Sequence, residues 1–253
     1  MAVGNREEMN WSRRSAWIIG ASTGIGAALA KELANAGCQV TITARNEEVL
    51  NQVSQLRMSV KPADINNAEA LGAIANELSA AGRLDLVVVA AGYWKRDDPL
   101  EFNAEEFRRH VETNLLGLSN VLESVIPPMK KANKGHVVVL SSVAGYRGMP
   151  GSLGYGATKA AQINLFEALR ATFNKTGITF QTVSPGFVET PMTSTNTFPM
   201  PFLISSEEAA KHILRGLESS KPEIVFPWQM AVAMKIAKFI PQRLWVKLLG
   251  RNA

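Results

Sequence analysis

Gly20-Ala21-Ser22-Thr23-Gly24-Ile25-Gly26 joins the apolar run Ala16–Gly20 to a helical run, Gly24–Ala36, that Gly37 closes. Small residues let the backbone turn sharply and approach a pyrophosphate, and a helix N-terminus favours that group's charge. Glycines at this density also fit an ordinary tight turn. Their position after a first strand and before a helix favours a dinucleotide cradle built from Gly20, Ser22, Thr23, Gly24, Ile25 and Gly26. The spacing Gly-x-x-x-Gly-x-Gly differs from the Gly-x-Gly-x-x-Gly of most dinucleotide folds.

From this turn the alternation of strand and helix continues. Gln39–Ala44, Arg57–Val60, Leu84–Ala90, His136–Ser141, Ile178–Val183 and Glu223–Phe226 read as strands. Between them Glu47–Leu56, Asn66–Ala81, Ala104–Lys131, a segment near Tyr155–Lys175 and Ser206–Ser219 read as helices, with Pro127-Pro128 expected to bend or end the longest. Continuous apolar strands separated by helices imply strands buried on both faces. The expected fold is α/β: a single Rossmann-type doubly wound parallel sheet of about seven strands with helices on both faces. Residues 16–227 form its one domain, between a polar extension, 1–15, and a C-terminal segment, 228–253.

Composition agrees with a folded α/β domain. The chain has 253 residues, 46% hydrophobic and 19% charged, which excludes a disordered or collagen-like polymer. The lone cysteine, Cys38, can form neither an internal disulfide nor a zinc site, so a reducing cytoplasm is expected. No apolar stretch follows the polar start as in a secretory signal, and no run is long enough for a conventional membrane span. The net charge of +5 is local. Lys235, Lys238, Arg243, Lys247 and Arg251 lie beyond Phe226 with no acid among them, leaving 22 basic and 22 acidic residues in the first 227 positions. A neutral body disfavours nucleic acid as a partner.

The second strand bears on which dinucleotide is bound. NAD binders place an acid at its end, whereas an arginine accommodates the 2′-phosphate of NADP. Here Thr43-Ala44-Arg45 carries no acid before Glu47. Arg45 also suits a plain surface loop, but directly after that strand it favours NADP over NAD. Tyr155 and Lys159 lie four apart at the start of a helix and share a face. A cation beside a tyrosine stabilises the phenolate and draws its pKa toward neutrality. Ser142, ending the fifth strand, is placed to polarise a carbonyl at the carboxyl edge of the sheet.

Together these residues resemble the short-chain dehydrogenase/reductase family, in its common subfamily of about 250 residues, over roughly positions 15–227. The likeness rests on the glycine turn, Asp64, Ala90-Ala91-Gly92, Asn114, Ser141-Ser142, Tyr155-Gly156-Ala157-Thr158-Lys159, and Pro185-Gly186 leading to Thr190. The resemblance implies hydride transfer between NADP(H) and a carbonyl or secondary alcohol. Tyr155 would be the acid in reduction and the base in oxidation. Lys159 would lower its pKa and hold the nicotinamide ribose, and Ser142 would bind the reacting oxygen. Asn114 would support a water in a relay with Lys159. Asp64 would meet the adenine, and Val188 and Thr190 the carboxamide; Ala91, Gly92, Pro185 and Gly186 would complete the cofactor site. Two positions depart from the family pattern: Ile19 replaces a threonine, and Ala90 an asparagine that helps fix the loop over the cofactor. The alternative is an NADP-binding sensor or membrane-peripheral scaffold with little turnover.

Other signals are weaker. His110, His136 and His212 lack a partner at a telling interval and suit packing or the surface. Asp97, Asp98, Glu101, Glu167 and Glu189 form no ligand pattern, so no metal is implied. Tyr93, Trp94, Met149 and the apolar stretch Phe187–Ile204 suggest a lipophilic substrate, or simply pack a lid on the core. The family implies a homodimer or homotetramer. In the tail, Trp228, Val232, Ile236, Phe239 and Ile240 form an arc with Lys235 and Lys238 expected opposite, and Leu244–Leu249 repeats that character beyond Pro241. This arc either closes the pocket, makes a subunit contact, or lies on a membrane surface through Trp228–Leu249.

Overall fold

The computed structural model describes residues 10–249, except Pro99 and Ser220. Most of the polar start, and Arg251, lie outside the described residues. Seven parallel strands form one sheet, β1 (Ser15–Ile19), β2 (Gln39–Thr43), β3 (Met58–Val60), β4 (Leu86–Val89), β5 (Gly135–Leu140), β6 (Ile178–Pro185) and β7 (Glu223–Phe226), ordered β3-β2-β1-β4-β5-β6-β7. Period-two alternation divides β1 between two cores. Ala16 and Ile18 pack with Leu29 and Leu33 of α1 (Gly24–Asn35) and Ile213 of α7 (Ser206–Leu217). Trp17 and Ile19 pack on the other face with Val121 and Val125 of α5 (Gly117–Ala132) and Phe166 of α6 (Leu153–Thr172). The remaining helices of the domain are α2 (Glu47–Val53), α3 (Ala68–Ala80) and α4 (Ala104–Val111). This is the doubly wound arrangement that the apolar strands imply.

Four features depart from expectation. Trp11, within the polar start, is buried just before β1. The long helix is broken into α4 and α5 by a π-helical turn, Glu112–Leu116, around the buried Asn114. Beyond it, Pro127 and Pro128 do not end α5, which runs to Ala132 and stops at Asn133 in a left-handed conformation. The prolines cost amides on the solvent side, while buried Val125 and Met129 keep the helix on the sheet.

The fourth departure is the tail. It folds into α8 (Trp228–Phe239) and α9 (Gln242–Leu249). Met234 and Ala237 of α8 are buried, and Met230 and Met234 pack with Val143 and Tyr146. Of the three alternatives for the arc, it does not close the pocket: Trp228, Val232, Ile236 and Phe239 are exposed, Phe239 by 87%. Lys235, three positions after Val232, shares the arc's exposed face, whereas Lys238 reaches back over the Tyr146 ring at 4.9 Å, away from the arc. Two methionines and an alanine fit the shallow surface beside Gly186, where a built Cβ would stand 2.9 Å from Met230 Cγ.

Candidate active site

The sheet order reverses direction beside β1, whose neighbours are β2 and β4, and the crevice outside such a switch point is where ligands of open α/β sheets bind. Backbone bonds close the turn there. Gly20 N donates to Thr43 O at 2.7 Å, while Ala90 N and Ala91 N donate to Ile19 O at 2.7 and 2.8 Å. Gly20 has φ +90°, and a Cβ would lie 2.2 Å from Ala91 N; one on Gly26 would lie 2.2 Å from Gly20 O. Only glycine fits both places. Thr23 caps α1 without a side-chain hydrogen bond, and no acid lies in the first turn. Its leading amides are therefore available to an anion.

A cleft of about 380 Å³ opens from this turn. Gly20, Ser22, Thr23, Gly24, Ile25 and Gly26 form one wall, with Arg45 and Asp64 beyond the ends of β2 and β3. Ala91 and Gly92 follow β4; Ser142, Tyr155 and Lys159 stand further along; Pro185, Gly186, Val188 and Thr190 close the far side. Arg45 is exposed and makes no ion pair among the described residues. Asp64 turns one oxygen to Asn66 N at 2.9 Å. The described residues hold no group of three or more side chains suited to a metal ion.

Ser142 caps the 3-10 turn Val143–Gly145; its Oγ accepts from Ala144 N at 3.1 Å and lies 3.5 Å from Pro185 O. Tyr155 and Lys159 share a face of α6, and Lys159 Nζ lies 5.3 Å from the Tyr155 ring centroid. The ammonium does not bring the phenol toward neutrality as expected. Burial pushes Tyr155 up to about 12, partly offset by the Ser142 hydroxyl. Burial also pulls Lys159 down to about 7, so it is only partly charged at neutral pH. Its Nζ donates to Leu140 O at 2.7 Å and to Gln162 Oε1 at 3.2 Å, away from the phenol.

Asn114 holds the loop that carries Tyr93. It lies behind the cleft wall, with its side chain fully used. Its Oδ1 accepts from Tyr93 N at 2.7 Å, and Nδ2 donates to Tyr93 O at 3.1 Å and Thr158 Oγ1 at 3.0 Å. Asn114 thus clamps the loop after β4, where Ala90 lacks the usual asparagine side chain. The Asn114 carbonyl accepts from Gln162 Nε2 at 2.7 Å, so one amide side chain bridges Lys159 and Asn114.

Sequence reasoning missed Gln162, although positions 155, 159 and 162 follow the helical spacing that would have found it. It also missed Asp97 as an anchor. That carboxylate accepts from Leu153 N and Gly154 N, pinning the start of the catalytic helix from a loop 56 positions earlier, a distance no local pattern reveals. Trp94 stands edge-on to Tyr155 with ring centroids 4.9 Å apart. His110 packs beneath, 6.5 Å from Tyr155; Lys95 N donates to its Nε2 at 3.3 Å, so Nδ1 carries the proton toward Glu106 O at 2.9 Å. His110 is a satisfied packing residue.

Comparisons with known proteins agree with this geometry. Residues 14–199 match the family model described as short chain dehydrogenase. An uncharacterized oxidoreductase of Myxococcus xanthus is 36% identical, over 92% of this chain and 95% of its own. One of Staphylococcus haemolyticus is 32% identical, over 81% and 90%. Among solved structures, a short chain dehydrogenase from Burkholderia cenocepacia in complex with NADP is 25% identical, with a TM-score of 0.83 over 94% of this chain and 98% of that one. ElxO with NADP bound is 27% identical, with a TM-score of 0.75 over 84% and 97%. With its doubly wound sheet, glycine turn and serine–tyrosine–lysine wall, the chain belongs to the short-chain dehydrogenase family and is an NAD(P)-dependent oxidoreductase.

Proposed function

We propose that this protein transfers a hydride between NADP(H) and the carbonyl or secondary alcohol of a lipophilic small molecule, with Tyr155 as the acid/base. The observation that carries the reading is the convergence of Ser142, Tyr155 and Lys159 on the cleft that begins at the open N-terminus of α1. The cradle fits the cofactor: Gly20 brings the turn against the Ala91 backbone with no room for a Cβ, first-turn amides line it, and Arg45, with no ion pair among the described residues, stands on the cleft at the end of β2, a place suited to a 2′-phosphate. The turn residues, Arg45, Asp64, Ala91, Gly92, Tyr155, Lys159, Pro185, Gly186, Val188 and Thr190 would hold it. The cofactor supplies or accepts the hydride at its nicotinamide.

The chain's own residues handle the proton and orient the substrate oxygen. Burial keeps the Tyr155 phenol protonated at neutral pH, ready to donate to a carbonyl oxygen as negative charge develops. Ser142 turns its hydroxyl to the same oxygen and holds it. Lys159, with its Nζ 5.3 Å from the Tyr155 ring, would when charged stabilise the phenolate that proton donation leaves. Tyr93 and Met192 on the cleft, Trp94 against Tyr155 and the Phe187–Phe198 pair support an apolar substrate. Exposed Leu100, Phe102 and Leu116 around α4 support a homodimer or homotetramer, and the lone buried Cys38 suits a reducing cytoplasm.

The test is NADPH oxidation over ketones, steroids and long-chain carbonyls. Tyr155→Phe should lower turnover by roughly 10²- to 10⁴-fold; unchanged turnover would discard the mechanism. Arg45→Ala should weaken NADPH far more than NADH, and equal weakening would discard the NADP preference.

A further inference from the structure

Seven of the fifteen large hydrophobic residues exposed among the described residues lie in α8 and α9. On α8 they form a stripe: Trp228, Val232, Ile236 and Phe239 follow at four, four and three positions and share one face. On α9, Leu244, Val246 and Leu248 are exposed by about half. The body does not cover this stripe because α8 already uses its opposite face, Met230, Met234 and Ala237, to pack on the domain. Nor is the segment loosely attached. Arg147 donates to Ile240 O at 2.8 Å and lies over the Trp245 ring at 5.7 Å, while Trp245 Nε1 donates to Gly148 O at 2.8 Å. The stripe is a fixed face, held on the loop that follows Ser142.

Charge selects the partner. Lys235 is exposed beside the stripe, Arg243 and Lys247 are exposed on α9, and Lys238, also exposed, reaches back over the Tyr146 ring at 4.9 Å; no acidic residue occurs from Trp228 to Ala253. A second copy meeting this face across a twofold axis would set these cations against themselves. At about 18 Å, α8 is short, and no helix of the described residues is long and apolar enough to cross a membrane. We propose that α8 and α9 dock the protein, lying flat, on an anionic lipid surface, with the stripe in the interface and the basic residues among the headgroups. The idea is independent of the substrate, because docking is measured without turnover.

The experiment is co-sedimentation of the full-length protein with vesicles of phosphatidylcholine alone or mixed with phosphatidylglycerol. Binding should be at least about tenfold tighter to the mixed vesicles and should weaken with added salt. The double variant Ile236→Ser/Phe239→Ser should lose at least about tenfold of that binding with its melting temperature unchanged, because both side chains are exposed. Lys235→Glu/Lys247→Glu should remove the preference for anionic lipid. No binding, equal binding to both vesicles, or undiminished binding by the serine variant would overturn the proposal. So would a protein dimer or a captured acidic protein that the serine variant abolishes in the absence of vesicle binding.

Discussion

At the β1–α1 turn, backbone meets backbone. Gly20 is in contact range of Ala91, Gly26 of Gly20, and the hydrogen bonds that the Thr43 and Ile19 carbonyls accept leave no slack. On α8 a single face meets the body, and the other carries large apolar side chains into solvent. Both regions are built from small and apolar residues at regular intervals, yet the same spacing has opposite consequences. Where several elements converge, each position tolerates one residue type. Where one helix lies on a surface, only the buried side is constrained, and the exposed side is free to serve something outside the fold.

Substitution can break this contrast. Gly20→Ala should have the largest effect, more than about 3 kcal/mol with cofactor binding lost, because the new methyl meets backbone and φ is positive. Chemical denaturation and NADPH titration would show it; a stable, binding variant would mean that the turn has slack. Met234→Ala should cost about 2 kcal/mol by leaving a cavity, whereas neighbouring Ile236→Ser should change stability by less than about 0.5 kcal/mol. Equal costs, read from urea midpoints, would remove the one-faced picture of α8.

Two smaller effects sharpen the cleft side. Reduction should slow as pH rises through about 7, where Lys159 loses its proton and no longer stabilises the Tyr155 phenolate formed in the reaction. Gln162→Leu removes an acceptor that favours the charged lysine, so the inflection should move lower, with about a tenfold loss in rate. A pH–rate profile of both proteins decides it, and an unmoved inflection would make Gln162 purely structural. Asp97→Ala should cost about 1 kcal/mol as the first amides of α6 lose their acceptor, with Asp97→Asn recovering part of it. Thermal unfolding distinguishes the two.

Much of the architecture is legible in local pattern. The strands from β1 to β7 appear as short apolar runs, and all but Asn114 of the candidate site residues line one cleft. The misses share a cause. The π turn around Asn114 and the persistence of α5 through Pro127-Pro128 depend on what packs against the helix. The bonds that Asp97 accepts from the α6 amides and that Gln162 donates to Asn114 join segments far apart in the chain.

Residue order alone settled the quantities set by neighbours along the backbone: strand and helix periodicity, the glycine turn that no larger residue can make, and the spacing that puts Tyr155 and Lys159 on one face. Folding settled the quantities set by solvent and by distant groups. It made the Tyr155 phenol a weaker acid and Lys159 a weaker base, and it turned the arc of α8 outward. Protonation and facing depend on which atoms displace water around a side chain, and only the assembled packing determines that.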